Sequence, residues 1–103
     1  MLDEEMVDGA LGLGSALIYP PGCFASTDEL VALSEVVARH DGLYISHMRN
    51  EGDRLLEAIE ELVGIGRRAQ VRAEIYHLKT AGRQNWPKMT AAVELVDAAR
   101  AGG

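Results

Sequence analysis

Cysteine and basic residues are scarce in this chain of 103 residues. Cys23 is the only cysteine, which excludes an internal disulfide bond and fits a reducing compartment such as the cytoplasm. Ten Lys and Arg residues stand against sixteen Asp and Glu, so the formal net charge is -6. This balance argues against a nucleic-acid backbone or an anionic membrane surface as a partner.

Long hydrophobic runs are also lacking. The most apolar segment, residues 10–19, is broken by glycines and is far shorter than the ~20 residues that span a bilayer. The acidic start, MLDEEMVD, lacks the basic residues of a signal peptide. Hydrophobic residues make up 48% of the chain and charged residues 25%, as in globular domains, and no linker or low-complexity segment divides it. We therefore expect residues 1–103 to form a single cytoplasmic unit.

Strand-like and helix-like segments alternate along the chain. Short apolar runs predict strands over residues 10–18, 43–45 and 71–77, and longer amphipathic runs predict helices over 26–41, 53–69 and 85–101, after a short helix over 1–8. Ser26 and Glu29 have the spacing of a capping box, and Pro87 suits the first turn of a helix. This alternation predicts an α/β fold with a parallel sheet and right-handed crossovers.

Two histidines stand at the carboxyl ends of predicted neighbouring strands. His47 follows the second strand and His77 ends the third. In open α/β sheets and α/β barrels the chemistry lies at this edge. Because adjacent strands are about 4.8 Å apart, we expect the nearest ring nitrogens to lie within about 5 Å and to share a metal ion. The alternative is a pair of surface or hydrogen-bonded histidines, since no local ligand motif is present.

Side-chain alternation predicts which residues line each face of the sheet. We expect Leu43, Ile45, Ala73 and Ile75 to share the face that the helices leave uncovered, and Glu74 to point toward the helices. Such an apolar face, together with the open edges of the outer strands, predicts that the isolated chain associates with copies of itself or is ordered only inside a larger barrel.

Three segments match a known family in order and spacing. YPPG (residues 19–22), SHMRNEGDRLLEA (46–58) and HLKTAGRQNW (77–86) resemble the N-acyl-D-amino-acid deacylases (D-aminoacylases) of the amidohydrolase superfamily, and the resemblance covers nearly the whole chain. The family fold is a metal-dependent (β/α)8 TIM barrel, which takes ~250 residues. The resemblance implies that this chain is a fragment holding about three consecutive strand–helix units of that barrel.

The same resemblance implies a function and a site. The full enzyme is expected to hydrolyse the amide bond of N-acyl-D-amino acids with zinc as cofactor. His47 and His77 correspond to zinc ligands that end the fifth and sixth barrel strands, and Tyr19 and Lys79 to residues that hold the substrate carboxylate. The family's His-x-His pair, cysteine ligand and proton-handling aspartate have no match here, and Cys23 is not that cysteine. No catalytic residue is therefore assigned, and the isolated fragment is expected to be inactive.

Two alternatives stay open. Another amidohydrolase of the dihydroorotase or imidase kind would share the strand-end histidines, and a non-catalytic α/β fragment would keep only the packing. The expected partners are a small N-acyl-D-amino acid and either the remainder of a barrel or further copies of the chain. Arg49 and Arg54, at the start of the second helix, could bind an anion, but a salt bridge to Glu51 or Asp53 is the favoured interpretation.

Overall fold

A three-stranded parallel sheet organises the computed structural model, which describes residues 2–102. The strands are β1 (Gly12–Ala16), β2 (Leu43–His47) and β3 (Arg72–Ile75), in that order across the sheet. The helices are α1 (Leu2–Val7), α2 (Thr27–Arg39), α3 (Leu55–Ala69) and α4 (Lys88–Ala101), with 3₁₀ turns over Gly22–Phe24 and Arg83–Asn85. The predicted α/β fold of parallel strand–helix units is confirmed; Met1, included in the first predicted helix, lies outside the described residues.

Helix α3 is the centre of the hydrophobic core. Buried side chains recur on it every three or four positions, as expected for a helix with one apolar face: Leu55, Ile59, Leu62 and Ile65. The last two belong to a core cluster with Val37 of α2 and Tyr44 of β2, and the first two to a second cluster with Ala92 of α4. Helix α2 starts as predicted, because the Ser26 hydroxyl accepts a hydrogen bond from the Glu29 backbone N–H at 3.1 Å.

The side chains of β3 point to the opposite faces of the sheet from those predicted. Tyr44 lies opposite Ala73, and Ile45 lies opposite Glu74. Ala73 and Ile75 therefore share the helix-covered face with Tyr44, and both pack against the core. The predictions that these two residues line the face of Ile45, and that Glu74 points toward the helices, were wrong. The observed phase leaves the Glu74 carboxylate exposed and avoids the cost of burying its charge.

The carboxyl end of β3 and the start of α4 also differ from the predictions. Tyr76 still donates a backbone hydrogen bond to Ser46 at 3.0 Å, but His77 has a φ of +31°, in the left-handed region. The strand therefore ends at Ile75, before residue 77, and side-chain alternation does not continue to His77. Helix α4 begins at Lys88 with Pro87 as its N-cap residue, because Asn85 belongs to a separate 3₁₀ turn. Within residues 2–102, no helix is long and apolar enough to cross a membrane.

Candidate metal centre

The two strand-end histidines lie side by side at the carboxyl edge of the sheet. His47 is the last residue of β2, and His77 follows β3 by two residues. Their ring centroids are 4.5 Å apart, with the rings inclined at 74°. One potential ligand atom each from His47, His77 and Glu51 lies within 4.8 Å of the others. This distance agrees with the separation of about 5 Å expected for histidines that share a metal ion.

Glu51 is the member of this group that the sequence interpretation missed. Its side chain is only 6% exposed, although it belongs to the β2–α3 loop (residues 48–54). One carboxylate oxygen, Oε1, is 3.1 Å from Nε2 of His47, and the other, Oε2, is 3.6 Å from Nδ1 of His77. The His-x-x-x-Glu spacing, in which a carboxylate follows a strand-end histidine by four residues, was the available signal.

The donor set suits a zinc ion, because imidazole nitrogens and carboxylate oxygens are ordinary zinc ligands. The Nε2 atom of His47 is buried, and among the described residues it has no hydrogen-bond partner. It lies near Glu51, but the contact does not have hydrogen-bond geometry. A buried polar atom in this state costs free energy unless another interaction compensates. The His47 ring therefore has a buried nitrogen without a hydrogen-bond partner among the described residues, and a bound ion would fix the orientation of this ring.

Tyr19 and Lys79, the two predicted substrate-binding residues, both lie beside the histidines. The Tyr19 ring centroid is 5.3 Å from that of His47, and Nζ of Lys79 is 3.8 Å from Oε2 of Glu51. Both side chains are more than half exposed, whereas His47 is only 12% exposed. The loop that carries Tyr19 returns closely over the end of β1, since a Cβ added at Gly22 would lie 2.3 Å from the Ala16 carbonyl oxygen. The phenol and the ammonium are thus exposed groups next to His47 and Glu51.

Arg49 ties the loop after β1 to helix α3. Its guanidinium donates two hydrogen bonds to Glu61, at 3.0 and 3.1 Å, and one each to the backbone carbonyls of Cys23 and Ala25, at 2.9 and 2.8 Å. The predicted salt bridge from Arg49 to Glu51 or Asp53 was wrong. Burial raises the pKa of the Glu61 carboxyl, but hydrogen bonds from Arg49 and from the Thr27 hydroxyl lower it by more, so this pKa lies below its usual value.

Asn85 joins the two loops that follow β2 and β3. It is 2% exposed, and its Nδ2 donates to the Asp53 carboxylate at 3.0 Å and to the Ala81 carbonyl at 2.9 Å. Its Oδ1 accepts from Nζ of Lys88 at 2.7 Å. Asn85 and Ala81 both belong to the β3–α4 loop (residues 76–87), whereas Asp53 belongs to the β2–α3 loop, so the bond to Asp53 fixes the loop of His77 relative to that of Glu51.

The chain is similar in sequence and in fold to proteins that are named as deacylases. No protein-family model matches the chain. It is 35% identical to a D-aminoacylase of Alcaligenes xylosoxydans xylosoxydans, over 98% of this chain and 21% of that protein. It is 38% identical to an N-acyl-D-glutamate deacylase of the same organism, over 100% of this chain and 21% of that protein. The crystal structure of the N-acyl-D-glutamate deacylase from Bordetella bronchiseptica, complexed with zinc and a phosphonate inhibitor, matches with a TM-score of 0.96 at 37% identity, over 100% of this chain and 22% of that one.

The chain thus spans about a fifth of the length of these relatives. Its resemblance to the N-acyl-D-amino-acid deacylases, which the three sequence segments indicated, is confirmed. The predicted partial barrel is confirmed as well, because the three parallel strand–helix units of the chain superimpose on one part of a metal-dependent amidohydrolase.

Proposed function

We propose that this chain, a homologue of one part of the N-acyl-D-amino-acid deacylases, supplies the zinc-binding and carboxylate-binding portion of a barrel that hydrolyses N-acyl-D-amino acids. The observation that carries the proposal is the pair of strand-end histidines flanked by Tyr19 and Lys79. The named relatives act as deacylases, which favours this reaction over that of an imidase or a dihydroorotase.

His47 and His77 are the residues that would hold the zinc ion. Each ends or follows a parallel strand, so the sheet fixes the separation of the two rings before any ion binds. A bound zinc ion supplies a Lewis acid for the amide carbonyl and lowers the pKa of a coordinated water. Two histidines fill only half of a tetrahedral site, so the affinity of this chain alone should be weak.

Lys79 and Tyr19 are proposed to bind the substrate carboxylate. An ammonium is a compact charge that pairs well with a carboxylate, and a phenol hydroxyl can donate a hydrogen bond to the same group. Both side chains are more than half exposed, so a substrate can reach them. Their position beside the histidines would orient the scissile amide toward the metal and keep the α-carboxylate away from it.

The remaining parts of the proposal concern the state of the chain. We take residues 1–103 as one unit, active only together with the rest of a barrel, and we place it in the cytoplasm on the basis of its single cysteine. Without the barrel, we propose that the chain self-associates through its open sheet edges. No residue of the chain is assigned the proton-transfer role, so the isolated chain should not turn over substrate.

Zinc titration tests the metal assignment. His47→Ala and His77→Ala should each weaken zinc binding by at least about tenfold, because each removes one of two imidazole ligands. His40→Gln is the matched control, since His40 pairs with Asp3 outside the site. Isothermal calorimetry that shows equal zinc affinity for all three variants would remove the histidine pair from the metal site.

A chimera tests the activity. Replacing the homologous fifth of a D-aminoacylase with this chain should leave a zinc-dependent enzyme that releases the free amino acid from N-acetyl-D-amino acids but not from the L-enantiomers. The same chimera carrying both His47→Ala and His77→Ala should be inactive. A folded chimera that contains the unaltered chain, binds zinc and has no deacylase activity would refute the proposed function.

A further inference from the structure

We propose that Arg49 is a positioning residue that holds Tyr19 in place for binding the substrate carboxylate. The inference rests on the proposed function, because it takes Tyr19 as one of the two carboxylate-binding residues. It adds the residue that fixes the loop carrying Tyr19. Arg49 thereby affects substrate binding through Tyr19, and not by its own contact with the substrate.

The loop between β1 and α2 (residues 17–26), which carries Tyr19, is held by hydrogen bonds more than by packing. Its first residue, Leu17, is buried and donates a backbone hydrogen bond to the His47 carbonyl at 2.9 Å. No side chain of residues 18–26, all of them within the described part of the chain, is buried, and Tyr19 itself is 60% exposed. A segment with so little buried apolar surface opens readily unless other contacts hold it. The position of the Tyr19 ring therefore depends on how the far end of this loop is anchored.

Arg49 supplies that anchor. Its Nη1 donates a hydrogen bond to the Cys23 carbonyl at 2.9 Å, and its Nη2 donates to the Ala25 carbonyl at 2.8 Å. The Cys23 backbone N–H donates in turn to the Tyr19 carbonyl at 2.9 Å. Two hydrogen bonds in series thus connect the guanidinium to Tyr19, whose ring centroid is 5.3 Å from that of His47.

The same guanidinium is fixed to the core helix. Nε and Nη2 of Arg49 donate to the two carboxylate oxygens of Glu61 at 3.0 and 3.1 Å, and Glu61 is 14% exposed on α3. A planar guanidinium can meet a carboxylate with two N–H groups and keep further donors for carbonyls, whereas an ammonium is a compact point charge. Arg49 also follows His47 by only two residues. It therefore fixes the distance between the proposed carboxylate-binding loop and the strand end that carries a proposed zinc ligand.

Hydrogen exchange, measured by mass spectrometry in the D-aminoacylase chimera, tests whether Arg49 holds the loop. Arg49→Lys should raise the exchange rate of the backbone amides of residues 23–25 by about tenfold, because these amides donate to carbonyls within the loop. Arg54→Lys is the matched control, since it changes an exposed arginine that pairs with Glu57, and it should leave the loop unchanged. Unchanged protection of residues 23–25 in Arg49→Lys would overturn the proposal.

A double-mutant cycle in the same chimera tests whether Arg49 acts through Tyr19. Tyr19→Phe should raise KM for an N-acetyl-D-amino acid by about tenfold, since it removes one hydrogen bond to a charged group. Arg49→Lys should raise KM by a similar factor with kcat nearly unchanged. Adding Tyr19→Phe to Arg49→Lys should then raise KM by less than about twofold more, because the loosened loop no longer presents the hydroxyl.

The cycle separates this inference from the proposed function. If the two substitutions raise KM by independent factors that multiply, Arg49 does not act through Tyr19, and the positioning role is refuted while the proposed function stands. If Tyr19→Phe alone leaves KM unaltered, Tyr19 is removed from the carboxylate site, and this part of the proposed function fails together with the inference.

Discussion

Replacing Arg49 by alanine should destabilise the chain far more than removing an exposed arginine. Its guanidinium makes four hydrogen bonds, to the Glu61 carboxylate and to the carbonyls of Cys23 and Ala25. Glu61 is 14% exposed, so without Arg49 it keeps a buried charge with the Thr27 hydroxyl as its remaining partner. Hydrogen bonds to charged groups are worth about 1.5–3 kcal/mol each, but Arg49 is 30% exposed and water screens part of this, so we expect a loss of about 2–4 kcal/mol in total.

The Arg54–Glu57 pair provides the matched control. These side chains are 73% and 63% exposed, and water screens an exposed pair of this kind, so it contributes little to stability. Arg49→Lys should fall between the two, with a loss of about 1–2 kcal/mol, because an ammonium keeps the charge but cannot reproduce the paired N–H bonds to a carboxylate. Urea unfolding followed by far-ultraviolet circular dichroism, at one protein concentration, measures all three variants. Equal losses for Arg49→Ala and Arg54→Ala would show that the contacts of Arg49 do not stabilise this fold.

Three further predictions concern acid stability, substrate binding and association. The Glu61 pKa is lowered on folding, so its ionised form stabilises the chain above the unfolded value of about 4.3, and this contribution is lost as the pH falls below that value. Urea titrations from neutral to acid pH should therefore show that Glu61→Gln loses less unfolding free energy on acidification than the wild type. Parallel pH profiles of the two proteins would contradict this. In the D-aminoacylase chimera, Lys79→Ala should raise KM or lower kcat/KM for N-acyl-D-amino acids, and unchanged kinetics would remove Lys79 from the site. Light scattering should show that the chain is larger than a monomer and that Ile45→Lys, on the uncovered sheet face, reduces its mass; a monomeric, folded wild type would refute self-association.

The parts of the fold that follow local rules were predictable from sequence. Ser26 and Glu29 marked the start of α2, because an N-cap needs only residues three positions apart. The placement of His47 and His77 at one sheet edge followed from the strand–helix alternation, since parallel strands bring their carboxyl ends together. Tyr19 and Lys79 came from the family resemblance, and in the structure Tyr19 lies against His47 and Lys79 lies near Glu51.

The parts that depend on tertiary contacts were not predictable. The phase of β3 depends on which face the helices cover, so Ala73 and Glu74 were assigned to the wrong sides. His77 reaches His47 through a left-handed backbone conformation that alternation cannot anticipate. Arg49 pairs with Glu61, which lies within helix α3. Glu51 is buried by its neighbours in the fold, although loop carboxylates are usually solvated.

The bond from Asn85 to Asp53 gives the two loops of the site a common opening equilibrium. Separating the loops breaks this bond and leaves a buried amide with an unpaired N–H, so neither loop can detach without that energetic cost. Local unfolding that exposes these backbone amides should therefore occur as one cooperative event, with similar hydrogen-exchange protection across the β2–α3 and β3–α4 loops. His77 and Glu51 would then gain and lose their binding-competent arrangement together, and an isolated half of the site would be rare even in transient openings.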